Sequence, residues 1–187
     1  MNFQFNEHRN LEGCHAFLGA SSYHWLNYSD EKLRATYENS KATERGTRLH
    51  ALAKELIELG VKLPRNSRTL NAYVNDAIGY GMKPEVVLYY SPFCFGTCDA
   101  IAYDSKRHTL RIHDLKTGAS PADMRQLMIY AALFCLEYHI KPETLEITLC
   151  IYQFDSATSL NPTAEEIQEK MDAIVHGDQI LAELQEG

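Results

Sequence analysis

Asp114 and Lys116 stand two apart in the run His113-Asp114-Leu115-Lys116-Thr117-Gly118, directly after the alternating stretch Thr109-Leu110-Arg111-Ile112. The alternation predicts a half-buried strand, so both side chains project from one face near its end. A carboxylate and an ammonium so placed, ahead of a Thr-Gly turn, can hold a metal ion beside a reacting phosphate. In isolation the same two residues would form an ordinary surface ion pair. The chemistry therefore depends on what the fold brings to them. Three further features carry suitable side chains: His50 in GTRLHALAKE, Asp99 in GTCD, and Gln126 with Tyr130, four apart in QLMIY.

The elements that must position these residues follow from hydrophobic periodicity. Short helical pieces are expected in HAFLGASSYHWLNYS, with Ser22 capping a helix from Tyr23 and Trp25 as an anchor. A helix is expected from about Thr43 to Leu59, where Leu49, Leu52, Leu56 and Leu59 recur at helical steps ahead of Gly60. His50 lies one residue off that stripe. A second helix spans Thr69 to Tyr80 and closes at glycines. EVVLYYS, FCFGTCDAIAYD and TLRIHDLK read as a three-stranded meander. If its second hairpin turns near Ser105 to Arg107, Asp99 and Asp114 are nearly equidistant from the turn and face one another. Ala122 to Tyr138 is a long amphipathic helix with Pro121 at its first turn, and TLEITLCIYQ is an interior fourth strand. FDSATSLNP reads as a loop before a last helix from Thr163 to about Leu184. The order predicts one α/β domain over residues 1–187, a mixed sheet of antiparallel meander plus a crossover strand paired parallel to one of the meander strands, flanked by helices.

Composition is that of a soluble globular chain: 187 residues, 45% hydrophobic, 23% charged. No apolar run reaches the ~20 residues of a membrane span. MNFQFNEHRN lacks the pattern of a signal peptide, which predicts a cytoplasmic protein with its five cysteines reduced. None forms a C-x2-C pair or a cluster suited to zinc. The formal net charge of −7 argues against a nucleic-acid partner. Its distribution weakens that argument. From Gln153 onward a single lysine faces eight carboxylates, so the first 152 residues are neutral overall, and Lys41 to Leu70 carries a local excess of four positive charges.

Together, GTRLHALAKE, GTCD, DLK and QLMIY resemble the PD-(D/E)XK nuclease superfamily, and more closely its RecB-type exonuclease branch, which includes CRISPR-associated and phage-encoded members. The phage resemblance extends to HAFLGASSYHWLNYS and to IYQ followed by an acidic helix, covering most of the chain. The resemblance implies a restriction-endonuclease-like core. It implies His50 as the histidine metal ligand, Asp99 and Asp114 as acidic ligands, the Leu115 backbone carbonyl as a further ligand, and Lys116 as the catalytic lysine. Gln126 and Tyr130 match the Q-x-x-x-Y motif of this branch, and Glu85 sits where many relatives have another acid. Several members also hold an iron-sulfur cluster through one early cysteine and a group near the carboxyl end. Nothing of that kind follows Cys150, so no cluster is expected.

The implied activity is Mg²⁺- or Mn²⁺-dependent hydrolysis of linear DNA, single- or double-stranded. The expectation is an exonuclease running 5′ to 3′ in phage recombination or replication. A second copy of the chain and a recombination protein are the further partners expected, and no membrane. An endonuclease with the same site is one alternative. The other is a catalytically silent nucleic-acid- or protein-binding relative, for which the acidic last helix is the sequence hint.

Overall fold

The computed structural model describes residues 16–18 and 20–186, and for 20–23 and 186 the backbone alone. Cys14 and His15, the amino-terminal run and the proposed Ser22 side-chain cap lie outside this description. The chain divides into two compact units, 1–45 and 46–187. The first contains a 3-10 helix, Ala20–Asn27, that starts three residues ahead of the expected Tyr23, and the beginning of helix α1, Asp30–Leu59. That helix begins well before the expected Thr43. Its early turns are polar and exposed, so they carry no apolar stripe by which periodicity could find them.

The second unit is α/β. After α1 come helix α2 (Thr69–Gly79), strands β1 (Lys83–Ser91), β2 (Cys94–Asp104) and β3 (Thr109–Leu115), helix α3 (Arg125–Tyr138), strands β4 (Glu146–Gln153) and β5 (Ser156–Leu160), and helix α4 (Ala164–Glu186). The five strands form one mixed sheet in the order β1-β2-β3-β4-β5, antiparallel except where β4 runs parallel to β3. The meander and the parallel crossover strand are as expected. Helices line both faces. On one, Leu88, Cys98, Ile112 and Leu149 pack with Leu127, Ala131 and Phe134 of α3 and Ile167 of α4. On the other, Ala100, Leu115 and Tyr152 pack with Ala53 and Ile57 of α1 and Tyr73, Val74 and Ala77 of α2.

The fifth strand is a correction to the expected loop. Its residues SATSL are exposed apart from the half-buried Leu160, so an edge strand here has no hydrophobic face to reveal it. The hairpin turns on Phe154 and Asp155, both with positive φ (52° and 55°), the geometry a two-residue type I′ turn requires. Asp155 tolerates that conformation and also anchors α2. Its Oδ1 accepts the Thr69 amide at 2.8 Å and the Thr69 hydroxyl at 3.1 Å. Arg68, the residue ahead of α2, makes no side-chain cap, so an aspartate 86 positions away supplies an acceptor for the helix's first turn.

Asp155→Ala is therefore expected to cost about 1 to 2 kcal/mol, combining a lost helix-end acceptor with a strained left-handed alanine. Asp155→Gly should cost less because only the acceptor is lost. Equilibrium urea unfolding of the two variants against the parent checks the order. Equal losses would show that the turn conformation carries no cost.

Candidate metal centre

The β2–β3 ladder ends at the pair Ala100 with His113, so Asp99 and Asp114 are the next facing positions, just beyond the last pair. In place of a ladder bond there, Asp99 Oδ2 accepts the Leu115 amide at 2.8 Å. The Lys116 amide then donates to Tyr152 O on β4 at 2.9 Å. Because the Leu115–Lys116 peptide is trans, the Leu115 carbonyl points opposite to that amide, toward the Asp99 side.

β1 is irregular at the same level. Pro84 pairs with Ala100 and Val86 with Cys98, while Glu85 between them has φ 52°. A left-handed glutamate is strained by about 1 to 2 kcal/mol, and its carboxylate lies beside Asp99. From α1, His50 reaches the same point, with Nδ1 3.5 Å from Asp99 Oδ2. One ligand atom from each of His50, Glu85 and Asp99 lies within 4.8 Å of the others, a grouping able to hold a metal ion. Gly46, one turn earlier on α1, lets the helix come this close: a Cβ there would meet Thr117 Oγ1 at 2.7 Å.

Asp114 and Lys116 approach from the other face. The Lys116 Nζ lies 2.9 Å from Asp114 Oδ2 and donates to Oδ1 at 3.1 Å and to Gln126 Oε1 at 2.7 Å. Gln126 Nε2 donates to the Tyr130 hydroxyl at 3.0 Å, which donates to Thr97 O on β2 at 2.7 Å. Gly96 makes room for this ring, since a Cβ there would stand 3.0 Å from Tyr130 Cε1. The Asp114 side chain is only 2% exposed, and its Oδ2 has no aligned hydrogen bond among the described residues despite the nearby ammonium. The Lys116 ammonium at 2.9 Å is the charge that offsets the burial of this oxygen.

The crowding of charge shows in the titration of the neighbouring groups. Burial, then repulsion from Asp99, pushes the Asp114 carboxyl above its ordinary value, with Lys116 opposing. The same two causes raise Glu85. The Asp99 hydrogen bond raises His50 against the opposing effect of burial. Two carboxylates and an imidazole so gathered, with the Asp114 carboxylate adjoining them, form a hard, mixed oxygen and nitrogen donor set that suits Mg²⁺ or Mn²⁺.

All the side chains singled out from sequence thus lie around one end of the sheet, although the mutual grouping comprises His50, Glu85 and Asp99. Asp114 adjoins it without belonging to it. His113 turns the other way: its ring meets Tyr152 and Tyr80, and burial lowers its pKa to about 3, so it is a neutral packing residue. Cys98, Cys135 and Cys150 are buried core thiols. Sequence reasoning missed Gln153. It is 8% exposed, accepts the Ala122 amide and donates to the Gly118 and Ser120 carbonyls, fixing the loop between Lys116 and α3. A glutamine closing an apolar strand was the available signal. This tie also explains why α3 starts at Arg125, later than the expected Ala122.

No family model matches the chain, and no curated protein or solved structure matches it either. Among the described residues, no helix is long and apolar enough to cross a membrane.

The raised carboxyls give a stability prediction with a definite sign. A carboxyl with folded pKa above its unfolded value binds more protons when folded, so its contribution is present at low pH and is lost as pH rises through the folded pKa. In EDTA at neutral pH, Asp114→Asn and Glu85→Gln should therefore melt higher than the parent. Adding Mn²⁺ should raise the parent's Tm and leave Glu85→Gln and Asp99→Asn with a much smaller gain. Differential scanning fluorimetry checks both. An equal Mn²⁺ gain in all four proteins would remove these residues from the centre.

Proposed function

We propose that the chain is a divalent-metal-dependent deoxyribonuclease acting on linear DNA from an end. The observation that supports this reading best is the convergence of His50, Glu85 and Asp99 beside the buried Asp114 carboxylate and its ion-pair partner, the Lys116 ammonium. The PD-(D/E)XK resemblance supports the choice of phosphodiester chemistry, and its RecB-type branch supports exonucleolytic, 5′ to 3′ action in phage recombination or replication.

His50, Glu85, Asp99 and Asp114, with the Leu115 carbonyl, are the groups that would hold Mg²⁺ or Mn²⁺. A bound divalent cation would neutralise charge on the scissile phosphate and bring water closer to ionisation at neutral pH. Lys116 orients the attacking water and offsets negative charge developing on the phosphate. Its position is restrained from two sides, by Asp114 and by Gln126. Gln126 is itself held by Tyr130, so the relay fixes the direction in which the ammonium presents its remaining proton. Preorganisation of that kind is what transition-state stabilisation requires.

End-labelled linear DNA and covalently closed circular DNA, each incubated with Mg²⁺, Mn²⁺ or EDTA, test the proposal. Linear DNA should be degraded from the 5′ end only with metal, and circular DNA should survive. Cutting of the circle would make the chain an endonuclease, and no turnover with either metal would sink the enzyme reading. Asp114→Asn and Lys116→Ala should each lower the rate at least a hundredfold while far-ultraviolet circular dichroism stays unchanged. Gln126→Ala should lower kcat by less, because it acts through Lys116.

A further inference from the structure

The β1–β2 hairpin continues away from the metal cluster, and on one of its faces the large side chains are exposed. Leu88, Val86 and Tyr90 pack into the α3-side core, and Gly96 faces Tyr130, so strand alternation puts Val87, Tyr89, Phe95 and Thr97 on the opposite face. That is the face from which His50 meets Asp99. Val87 pairs with Thr97 and Tyr89 with Phe95. The three large side chains are 54%, 46% and 62% exposed, and the Tyr89 and Phe95 rings lie near-parallel at 27° with centroids 6.3 Å apart. The row begins at Glu85 itself, and four residues of strand put Tyr89 about 13 Å from it.

We propose that Tyr89 and Phe95 form a base-stacking platform for unpaired nucleotides of a single DNA strand whose backbone passes through the metal cluster. The inference rests on the nuclease reading and specifies its substrate: a single strand or a frayed end. A cross-strand aromatic pair can also serve only to stabilise its hairpin. Here three further features favour a nucleic-acid strand. The row is continuous with the candidate ligands Glu85 and Asp99, its four side chains are uncharged while the nearby Glu137 carboxylate is engaged by the Tyr89 amide, and Lys54 stands one turn after His50 on the same side of α1. Exposed aromatic faces beside cations bind single strands without regard to sequence, because every base has a π-face.

Binding is measured on the full chain in EDTA, where no cleavage occurs, by anisotropy of fluorescein-labelled oligothymidylate and of a blunt duplex. The double variant Tyr89→Ser/Phe95→Ser should bind oligothymidylate about 5- to 150-fold more weakly, the range for loss of a stacked base, with a smaller change for duplex. Tyr89→Phe/Phe95→Tyr should restore parental affinity. Irradiation of the unmutated protein with 5-iodouracil-substituted single strand should give crosslinked peptides within residues 87–97, an outcome that does not depend on any variant folding. With Mn²⁺, the double variant should show a raised KM for single strands and a nearly unchanged kcat. Unaltered oligothymidylate affinity, or crosslinks confined to other segments, would overturn the platform. So would a double variant that binds DNA normally but sediments as a smaller species, which would make the row a contact between copies. Binding and crosslinking without any metal-dependent cleavage would keep the platform and remove the nuclease reading.

Discussion

The arrangement turns on one carboxylate. Asp99 stands where the β2–β3 ladder stops, and its side chain replaces the missing ladder bond by accepting the Leu115 amide. The substitution holds the ends of two strands together without a backbone pair between them. The same Oδ2 lies nearest His50, and Asp99 is the one group whose charge raises both Glu85 and Asp114. It is therefore both a structural tie and the electrostatic hub of the cluster. Removing the carboxylate leaves a buried amide unpaired as well as a donor missing.

Around that tie, the two faces of the sheet contribute different kinds of group. The α1 side brings His50, Glu85 and Asp99, whose ligand atoms lie mutually close. The α3 side brings Asp114 and Lys116, and behind them Gln126 and Tyr130 extend a hydrogen-bond chain to the Thr97 carbonyl. That chain returns to β2 two residues from Asp99. A displacement of α3 would thus move the ammonium and perturb the strand carrying Asp99 together. Gln153 constrains the intervening loop from β4, so Lys116 is fixed by its strand, its helix and the loop that joins them.

Much of this was legible in the sequence because the relevant signals are local. The DLK strand end, the near-equidistance of Asp99 and Asp114 from a turn, and the spacing of Gln126 and Tyr130 each express a strand or helix period. The meander, the parallel crossover strand and most element boundaries follow from the same alternation. What escaped depends on tertiary context. β5 has no apolar face, the first half of α1 has no stripe, and the tie between Asp155 and Thr69 joins residues distant in sequence. Glu85 could be matched to a position but not to a conformation, since no pattern of residue types announces a left-handed glutamate in a strand. Gly46 and Gly96 occurred within the quoted motifs. Their role, admitting Thr117 and Tyr130 at close range, is visible only once the elements pack.

Glu85 shows how the fold and the chemistry oppose one another. Its backbone is strained, its carboxylate is partly buried, and the charge of Asp99 repels it. Each of these disfavours the folded state when no cation is present, and none is relieved by the described neighbours except His50 and Lys54. Strained and like-charged residues persist where the surrounding structure over-determines them. Here the sheet does so from both sides of the position, through the pairs Pro84 with Ala100 and Val86 with Cys98. Those pairs leave Glu85 no register to slip into, so relaxation would require opening the β1–β2 ladder itself. The distortion at Glu85 is thereby held to one residue: the register resumes at Val86 and runs unbroken through Tyr89 with Phe95, and shifts again only between Tyr89 and Ser91 at the hairpin's end.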